Sequence, residues 1–166
     1  LRPTIALAGE TYFEDFEDRP VEWQSNALQA GGVNSWTLGD PFKGFTNPSS
    51  GTYCWYTYIP GTSAPREQSV VTSPCFDFTG TEKPMIKMDI WRLFNATRDG
   101  AVLQASADSG RTWQNIGELQ DGINWYNEYN ILGNPGGQTI GWSNIRDAGW
   151  LEARHGLEQL KGKKQV

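Results

Sequence analysis

Four carboxylates lie close together near the start of the chain, in the stretch Glu14, Asp15, Phe16, Glu17 and Asp18. Calcium takes about six to eight oxygen ligands, and carboxylates at one strand end, with carbonyls of a neighbouring loop, supply such oxygens. The alternative is an exposed acidic edge whose charge discourages pairing with another strand. The acidic segment therefore leaves two interpretations open, a structural calcium site and a solvated edge.

The sequence gives no sign of catalytic machinery. A glycosidase needs an acid and a base about 5–9.5 Å apart across a cleft, and carboxylates are too common in this chain for one pair to stand out. No serine nucleophile elbow accompanies the lone histidine, His155, which lies in a glycine-flanked segment and is predicted to be exposed. A phosphate-cradling glycine loop is also absent. We therefore expect a module without catalysis of its own.

The aromatic residues Trp125, Tyr126 and Tyr129 are the candidates for binding a ligand. Sugars stack their C–H faces on exposed aromatic rings, and neighbouring amide side chains bond the hydroxyls. Such amides interleave here, at Asn124, Asn127 and Asn130. The alternative is packing in the core, and for Trp125 it is the favoured interpretation. Tyr126 and Tyr129 have opposite parity, so an ordinary strand would expose only one of them.

A tight turn is predicted within residues 106–113, SADSGRTW. Asp108 is able to accept hydrogen bonds from backbone N–H groups two residues on, and Gly110 tolerates a positive φ. Thr112 begins the return strand, and Trp113 supplies an apolar anchor. Together with Ser106 these residues match the Asp-box pattern S-x-D-x-G-x-T-W. Sialidase propellers repeat that pattern once per blade, but 166 residues are too few for a propeller, so the pattern indicates a hairpin.

Composition narrows the function classes. A net charge of −5 with scattered basic residues makes nucleic acid an unexpected partner. No apolar run approaches the roughly 20 residues of a membrane helix, so membrane insertion is not expected. Aromatic residues make up 13 % of the chain, and 19 glycines punctuate it, which is typical of extracellular β-sandwiches.

Short strand-like runs alternate with turn signals, and only 148–160 has features of a partial helix, with Leu151, Leu157 and Leu160 as anchors. About eight or nine strands without helices between them favour an all-β antiparallel sandwich formed by residues 1–166 as one domain. The predicted strands are 10–18, 33–38, 52–59, 68–78, 85–94, 101–106, 112–118, 123–132 and 138–143.

The clearest strand is 85–94. Alternation predicts that Ile86, Met88, Ile90 and Phe94 face the core. Arg92 falls on the same apolar parity. It is interpreted either as a strand-end arginine whose head reaches water or a carboxylate, or as a buried partner of an acidic site.

Two cysteines, Cys54 and Cys75, lie in apolar, strand-like settings. They are either two buried thiols or, in a secreted protein, a disulfide, which is the favoured interpretation. Their spacing matches no metal motif.

Several short motifs occur in a characteristic order: DFED (15–18), Trp23, NSW (34–36), SSGTY (49–53), VVTSPCFDF (70–78), MDIW (88–91) and DGAVLQASADSGRTW (99–113). The series covers most of residues 12–132. It resembles MAM-type and cleaved-adhesin-type jelly rolls, and most of all the jelly-roll modules of large surface proteins exported by bacterial type IX secretion.

The resemblance implies a jelly-roll β-sandwich in a secreted or cell-surface bacterial protein, used for adhesion to a glycan or a surface protein. It also implies a structural calcium near the first strand, with Glu17 as a ligand. The rival interpretations are an accessory domain of a secreted protease or glycosidase, and a structural spacer.

The end of the chain departs from that family, whose modules usually continue into further strands. The segment 160–166, LKGKKQV, is typical of the start of a strand. We therefore expect the last strand or strands to be missing, and the vacant edge to be filled by a following segment or another chain through strand addition.

Overall fold

The computed structural model describes residues 4–41, 47–57, 66–95, 97–143 and 147–166. The chain forms two compact units. The larger unit comprises Leu1–Thr11 and Cys75–Val166, and the smaller unit comprises Tyr12–Pro74. That residues 1–166 make one domain stays a prediction.

The smaller unit contains two antiparallel strand pairs. Strand β2 (Gln24–Ala27) pairs with β5 (Ser69–Thr72), and β3 (Trp36–Gly39) pairs with β4 (Cys54–Thr57). Glu67 links the residue before β3 to the first residue of β5. Its Oε1 accepts hydrogen bonds from the Ser35 backbone N–H, the Ser35 hydroxyl and the Ser69 hydroxyl. One carboxylate thus satisfies three donors from two segments.

The larger unit contains one parallel and two antiparallel pairs. Strand β1 (Thr4–Ala6) runs parallel to β6 (Cys75–Asp77). Strand β7 (Met85–Ile90) is antiparallel to β10 (Leu151–Gly156), and β8 (Gln104–Ala105) is antiparallel to β9 (Gln114–Asn115). In the described ranges the only helical turns are two 3-10 segments, Pro135–Gly137 and Glu158–Leu160, which agrees with the predicted all-β class. The parallel pair β1–β6 departs from the antiparallel pairing that was predicted throughout.

Strand β7 shows the predicted alternation. Met85, Lys87 and Asp89 are exposed, whereas Ile86, Met88 and Ile90 pack against the core, as does Phe94 beyond the strand. The core of the larger unit is formed by buried residues from most of its segments: Phe78, Ala105, Ile116, Trp125, Tyr126, Trp142, Ala153, Leu157 and Leu160.

In residues 101–143, several backbone groups form hydrogen bonds with aromatic side chains instead of with a paired strand. Tyr126 is completely buried, and its hydroxyl accepts a hydrogen bond from the Leu103 N–H (2.9 Å) and donates one to the Leu103 carbonyl (3.2 Å). The indole N–H of Trp125 donates to the Ile116 carbonyl, and that of Trp142 to the Asn124 carbonyl. Buried backbone groups need partners, and here side chains provide them.

Several predicted strands differ from the structure. Residues 10–18 form no strand, and 123–132 and 138–143 contribute only isolated bridges, such as Glu128 with Gly141. Phe16 and Asn124 have positive φ angles, which interrupt the extended backbone in 10–18 and 123–132. Of the predicted strand 52–59, residues 58 and 59 lie outside the described ranges.

The partial helix predicted for 148–160 is largely wrong. Residues 151–156 form β10, and only Glu158–Leu160 is helical, as a 3-10 turn. The leucine spacing that suggested a helix has another origin, since Leu157 and Leu160 are buried after the strand has ended. Strands β1 and β2 were not predicted, and β2, with the sequence QSNA, has none of the β-branched or aromatic residues that indicate a strand.

The segment before Val166 lies beside β6. Both backbone groups of Val166 bond to Phe76, at 2.8 and 3.0 Å, and the Lys163 carbonyl accepts the Phe78 N–H. Only Val166 pairs in this way, because residues 160–163 form turns, so the strand expected to start in 160–166 is not formed. Filling of a further edge by strand addition stays a prediction.

The burial of the Tyr126 hydroxyl predicts the effect of Tyr126→Phe. The substitution leaves the N–H of Leu103 without its partner, whereas the Leu103 carbonyl keeps the hydrogen bond from the Ile116 N–H, so we expect the free energy of unfolding to fall by about 1–3 kcal/mol. Urea denaturation measures this. Tyr129→Phe is the matched control, and because Tyr129 is 69 % exposed it should change stability by less than about 0.5 kcal/mol. Equal effects of the two variants would contradict the assignment.

Candidate functional site

The predicted hairpin at 106–113 is confirmed. Strands β8 and β9 are antiparallel, and Gly110 has φ of +81° at the turn. The Asp108 carboxylate bonds differently from the expectation: it accepts the Thr112 N–H (2.9 Å) and the Thr112 hydroxyl (2.6 Å), four residues on. The Ser106 hydroxyl donates to Asp108 and accepts the Gly110 N–H.

These hydrogen bonds lower the pKa of Asp108 to about 2, with the Thr112 hydroxyl as the largest cause, followed by the Thr112 N–H and the Ser106 hydroxyl. The carboxylate is thus occupied in holding the turn. Trp113 is 49 % exposed, so it anchors the hairpin less completely than expected. The arrangement serves the fold of the hairpin.

The structure separates the three aromatic candidates. Trp125 and Tyr126 are 3 % and 0 % exposed, with Trp142 packed against them at ring distances of 4.7 and 4.8 Å. Their placement corrects the expectation of a stacking platform that includes them, because no ligand reaches a buried ring. The alternative of core packing holds for both residues. Tyr129 alone lies on the surface.

Tyr129 lies in residues 128–134, which we call the Tyr129 loop. Tyr129 and Leu132 are 69 % and 66 % exposed, whereas Ile131 between them is completely buried. Glu128 Oε1 accepts the backbone N–H groups of Tyr129 (2.8 Å) and Asn130 (3.1 Å). The loop therefore presents two apolar side chains around one buried anchor.

Backbone bonds hold both ends of the Tyr129 loop. Glu128 and Gly141 bond to each other through both backbone groups. The Leu132 N–H donates to the Thr97 carbonyl (2.8 Å) and the Gly133 N–H to the Arg98 carbonyl (2.9 Å). The exposed side chains thus lie on a backbone whose position is set by neighbouring segments.

The predicted calcium ligands mostly bond to N–H and O–H groups of their own unit. Glu14 accepts the Phe16 N–H and the Tyr12 hydroxyl, and Asp15 accepts the Glu17 N–H. Glu17 Oε1 accepts the N–H groups of Thr52 and Tyr53, each at 2.7 Å. Asp18 is exposed. Within the described ranges, no three acidic, histidine or cysteine side chains are grouped to hold a metal ion. Calcium therefore stays a prediction.

Cys54 on β4 and Cys75 on β6 are half-buried free thiols in the structure. Burial, assisted by the charge of Asp40, raises the pKa of the Cys54 thiol to about 11. This thiol is therefore protonated near neutral pH and a poor nucleophile. The disulfide between the two residues stays a prediction.

Arg92 lies in a polar network that spacing along the sequence does not reveal. Its guanidinium bonds to both carboxylate oxygens of Asp147 (2.8 and 2.9 Å) and to Asn127 Oδ1 (3.0 Å). The side chains of Arg92 and Asp147 are only 13 % and 11 % exposed. Arg92 thus reaches a carboxylate, as one interpretation had it, but that carboxylate is buried with it. Asn127, expected near a ligand, instead holds this network and Ser143.

His155 is placed differently from the prediction. It lies in β10 with only 10 % of its side chain exposed, and its ring stacks on Trp125 at 4.7 Å. Its Nε2 is 3.0 Å from Asp121 Oδ2. The two residues are 34 positions apart, so the sequence carries no local signal of their contact.

Comparisons with known proteins yield no matching family model, curated protein or solved structure. In the part of the chain that the structure describes, the helical segments lack the length and apolarity needed to cross a bilayer.

The low pKa of Asp108 predicts how the hairpin depends on pH. Because the folded-state pKa lies near 2, below the ordinary value of 3.8, the carboxylate stabilises the fold at pH above about 4. That contribution is lost as the pH falls through about 2. We expect Asp108→Asn to lower the melting temperature at neutral pH, and the difference from the native chain to vanish near pH 2. Thermal melts over this range measure it, with Asp99→Asn as the control. A difference that persists unchanged at pH 2 would contradict the assignment.

Calcium binding is tested by the melting temperature with and without the ion. A ligand that binds only the native state raises that temperature, by an amount that depends on concentration. If Glu17 is a ligand, Glu17→Gln should reduce the increase, whereas Glu118→Gln, a control from the larger unit, should not. An unchanged melting temperature in EDTA, with no heat of calcium binding in calorimetry, would contradict the prediction of a calcium site.

Proposed function

We propose that this chain is a non-catalytic jelly-roll module of a secreted or cell-surface bacterial protein, and that it binds its ligand through the Tyr129 loop. One observation carries the proposal. The loop exposes Tyr129 and Leu132 on either side of the buried Ile131, on a backbone held at both ends by hydrogen bonds. Large apolar side chains held in place at a surface contribute strongly to binding, because little conformational freedom is lost.

A glycan is the ligand we favour. The exposed phenol ring of Tyr129 offers a flat apolar face for a sugar ring, and Asn130 and Asn134, both exposed, offer amide groups for hydroxyls. A surface protein with an apolar pocket for Leu132 is the alternative partner. The order of motifs that resembles adhesin modules supports either ligand class.

Absence of catalysis rests on how the polar groups are used. Asp108 bonds within its turn, Arg92 bonds with Asp147 and Asn127, and Glu17 bonds to two backbone N–H groups. These bonds give each group a role within the fold, which supports a module without catalysis of its own. Structural calcium and type IX export are further parts of the proposal that the resemblance supports.

The test is binding of the 166-residue chain to a panel of immobilised oligosaccharides and to a panel of purified surface proteins. We expect Tyr129→Ala to weaken binding to the recognised ligand by at least about tenfold, which corresponds to about 1.4 kcal/mol. Met85→Ala is the matched control, since Met85 is 66 % exposed and lies on β7. Its affinity should equal that of the native chain.

The outcomes separate the alternatives. Binding to a protein with no binding to sugars would replace the glycan by the surface protein. Binding that both variants retain would place the ligand elsewhere on the chain. Absence of binding in both panels would favour a structural spacer or an accessory domain.

A further inference from the structure

His155 has a hydrogen-bond acceptor at each of its two ring nitrogens. Nδ1 contacts the carbonyl oxygen of Gly156, and Nε2 is 3.0 Å from Oδ2 of Asp121. A carbonyl oxygen and an ionised carboxylate only accept hydrogen bonds, whereas a neutral imidazole donates from one nitrogen alone. Both contacts are therefore satisfied together only when the ring carries two protons and a positive charge.

We infer that His155 is a pH-dependent latch for residues 117–122, which we call the latch loop. When the imidazole is protonated, it tethers the loop through Asp121. When the imidazole loses a proton, one ring nitrogen presents a lone pair to an acceptor oxygen. The contact with Asp121, whose side chain is 61 % exposed, is the one that water easily replaces.

The latch loop fits closely around this ring. A Cβ atom at Gly117, which has φ of +79°, would lie 2.3 Å from Trp125 Nε1 and 2.6 Å from His155 Nε2. Only glycine therefore lets the loop approach the two rings. The loop is also held by the Gln120 N–H, which donates to the Tyr126 carbonyl at 2.9 Å. The contact of Asp121 with His155 depends on the protonation of the imidazole, whereas the bond of the Gln120 N–H does not.

The charges around His155 favour this role for Asp121. The latch loop also carries Glu118, and Glu158 follows β10. On β10 itself, the Glu152 carboxylate is already paired with Lys87 (2.6 Å) and with Arg154. From β7, the residue paired with His155 is the apolar Ile86. Asp121 is consequently the carboxylate within hydrogen-bond distance of the ring.

The sign of the pH dependence follows from this geometry. A histidine that gains a carboxylate partner on folding adds stability while it is protonated, and that contribution is lost when the ring gives up its second proton. The tether through Asp121 is therefore present while the imidazole carries two protons and lost when it carries one, whereas the Gln120 N–H keeps its bond to the Tyr126 carbonyl in both states. The core beneath it, formed by Trp125 and Tyr126, stays in place in both states.

The experiment compares Asp121→Asn with the native chain at about pH 5.5 and about pH 8.5, on either side of the titration of an imidazole. We expect the substitution to lower the melting temperature by about 1–4 °C at the acidic pH, and by much less at the alkaline pH. Glu118→Gln, from the same loop, should give equal small shifts at the two values. Nitrogen-15 NMR of the imidazole should show both ring nitrogens protonated at pH 5.5.

A second readout distinguishes the latch from a simple packing role. The nitrogen-15 spectrum of the native chain at pH 5.5 is that readout, because packing alone does not require both ring nitrogens to carry a proton. A neutral His155 with one protonated nitrogen at pH 5.5 would overturn the proposal. Melting shifts of equal size at both pH values would do the same.

Discussion

The buried hydroxyl of Tyr126 is the interaction on which the larger unit depends. A phenol brought into a core must find hydrogen-bond partners, and this one takes both the N–H and the carbonyl of Leu103. Burial raises its pKa to about 12, against the opposing effect of the Leu103 N–H. The ring therefore joins residues 103 and 126, and the chain between them must form the β8–β9 hairpin and the latch loop within that distance.

The position of Tyr129 follows from the same constraint. Once Tyr126 points into the core, the chain turns at Glu128, whose carboxylate accepts the next two backbone N–H groups. Ile131 then returns to the interior with no exposed surface. Tyr126 is therefore buried in the core, whereas Tyr129, three positions later, is exposed. Parity along the sequence predicted that they would separate, but not which one would be buried.

Local patterns were sufficient for the elements that depend on near neighbours. The alternation in 85–90 and the turn at 106–113 each involve residues close in sequence, and both were predicted. The all-β class also followed from the turn residues. The contacts that set the candidate site are long-range, such as Arg92 with Asp147, 55 positions apart. The segment 151–156 illustrates the difference, because its pairing with β7 overrides the leucine spacing that suggested a partial helix.

The ion pairs of the larger unit differ in how much solvent weakens them. The ion pair of Arg92 with Asp147 is bidentate and largely withdrawn from solvent, so either residue without the other would be an uncompensated charge in the interior. Asp121 and Lys87, by contrast, are 61 % and 59 % exposed, where water and salt weaken an ion pair. The interior contacts therefore fix the path of the backbone, whereas the exposed charges adjust its outer loops. The Tyr129 loop is held by backbone bonds, by Ile131 and by the Glu128 carboxylate, which bonds to backbone N–H groups rather than to a charged side chain, so its shape should be insensitive to salt. In this unit we expect a response to pH from the latch loop, through His155, and at low pH from the β8–β9 hairpin, through Asp108.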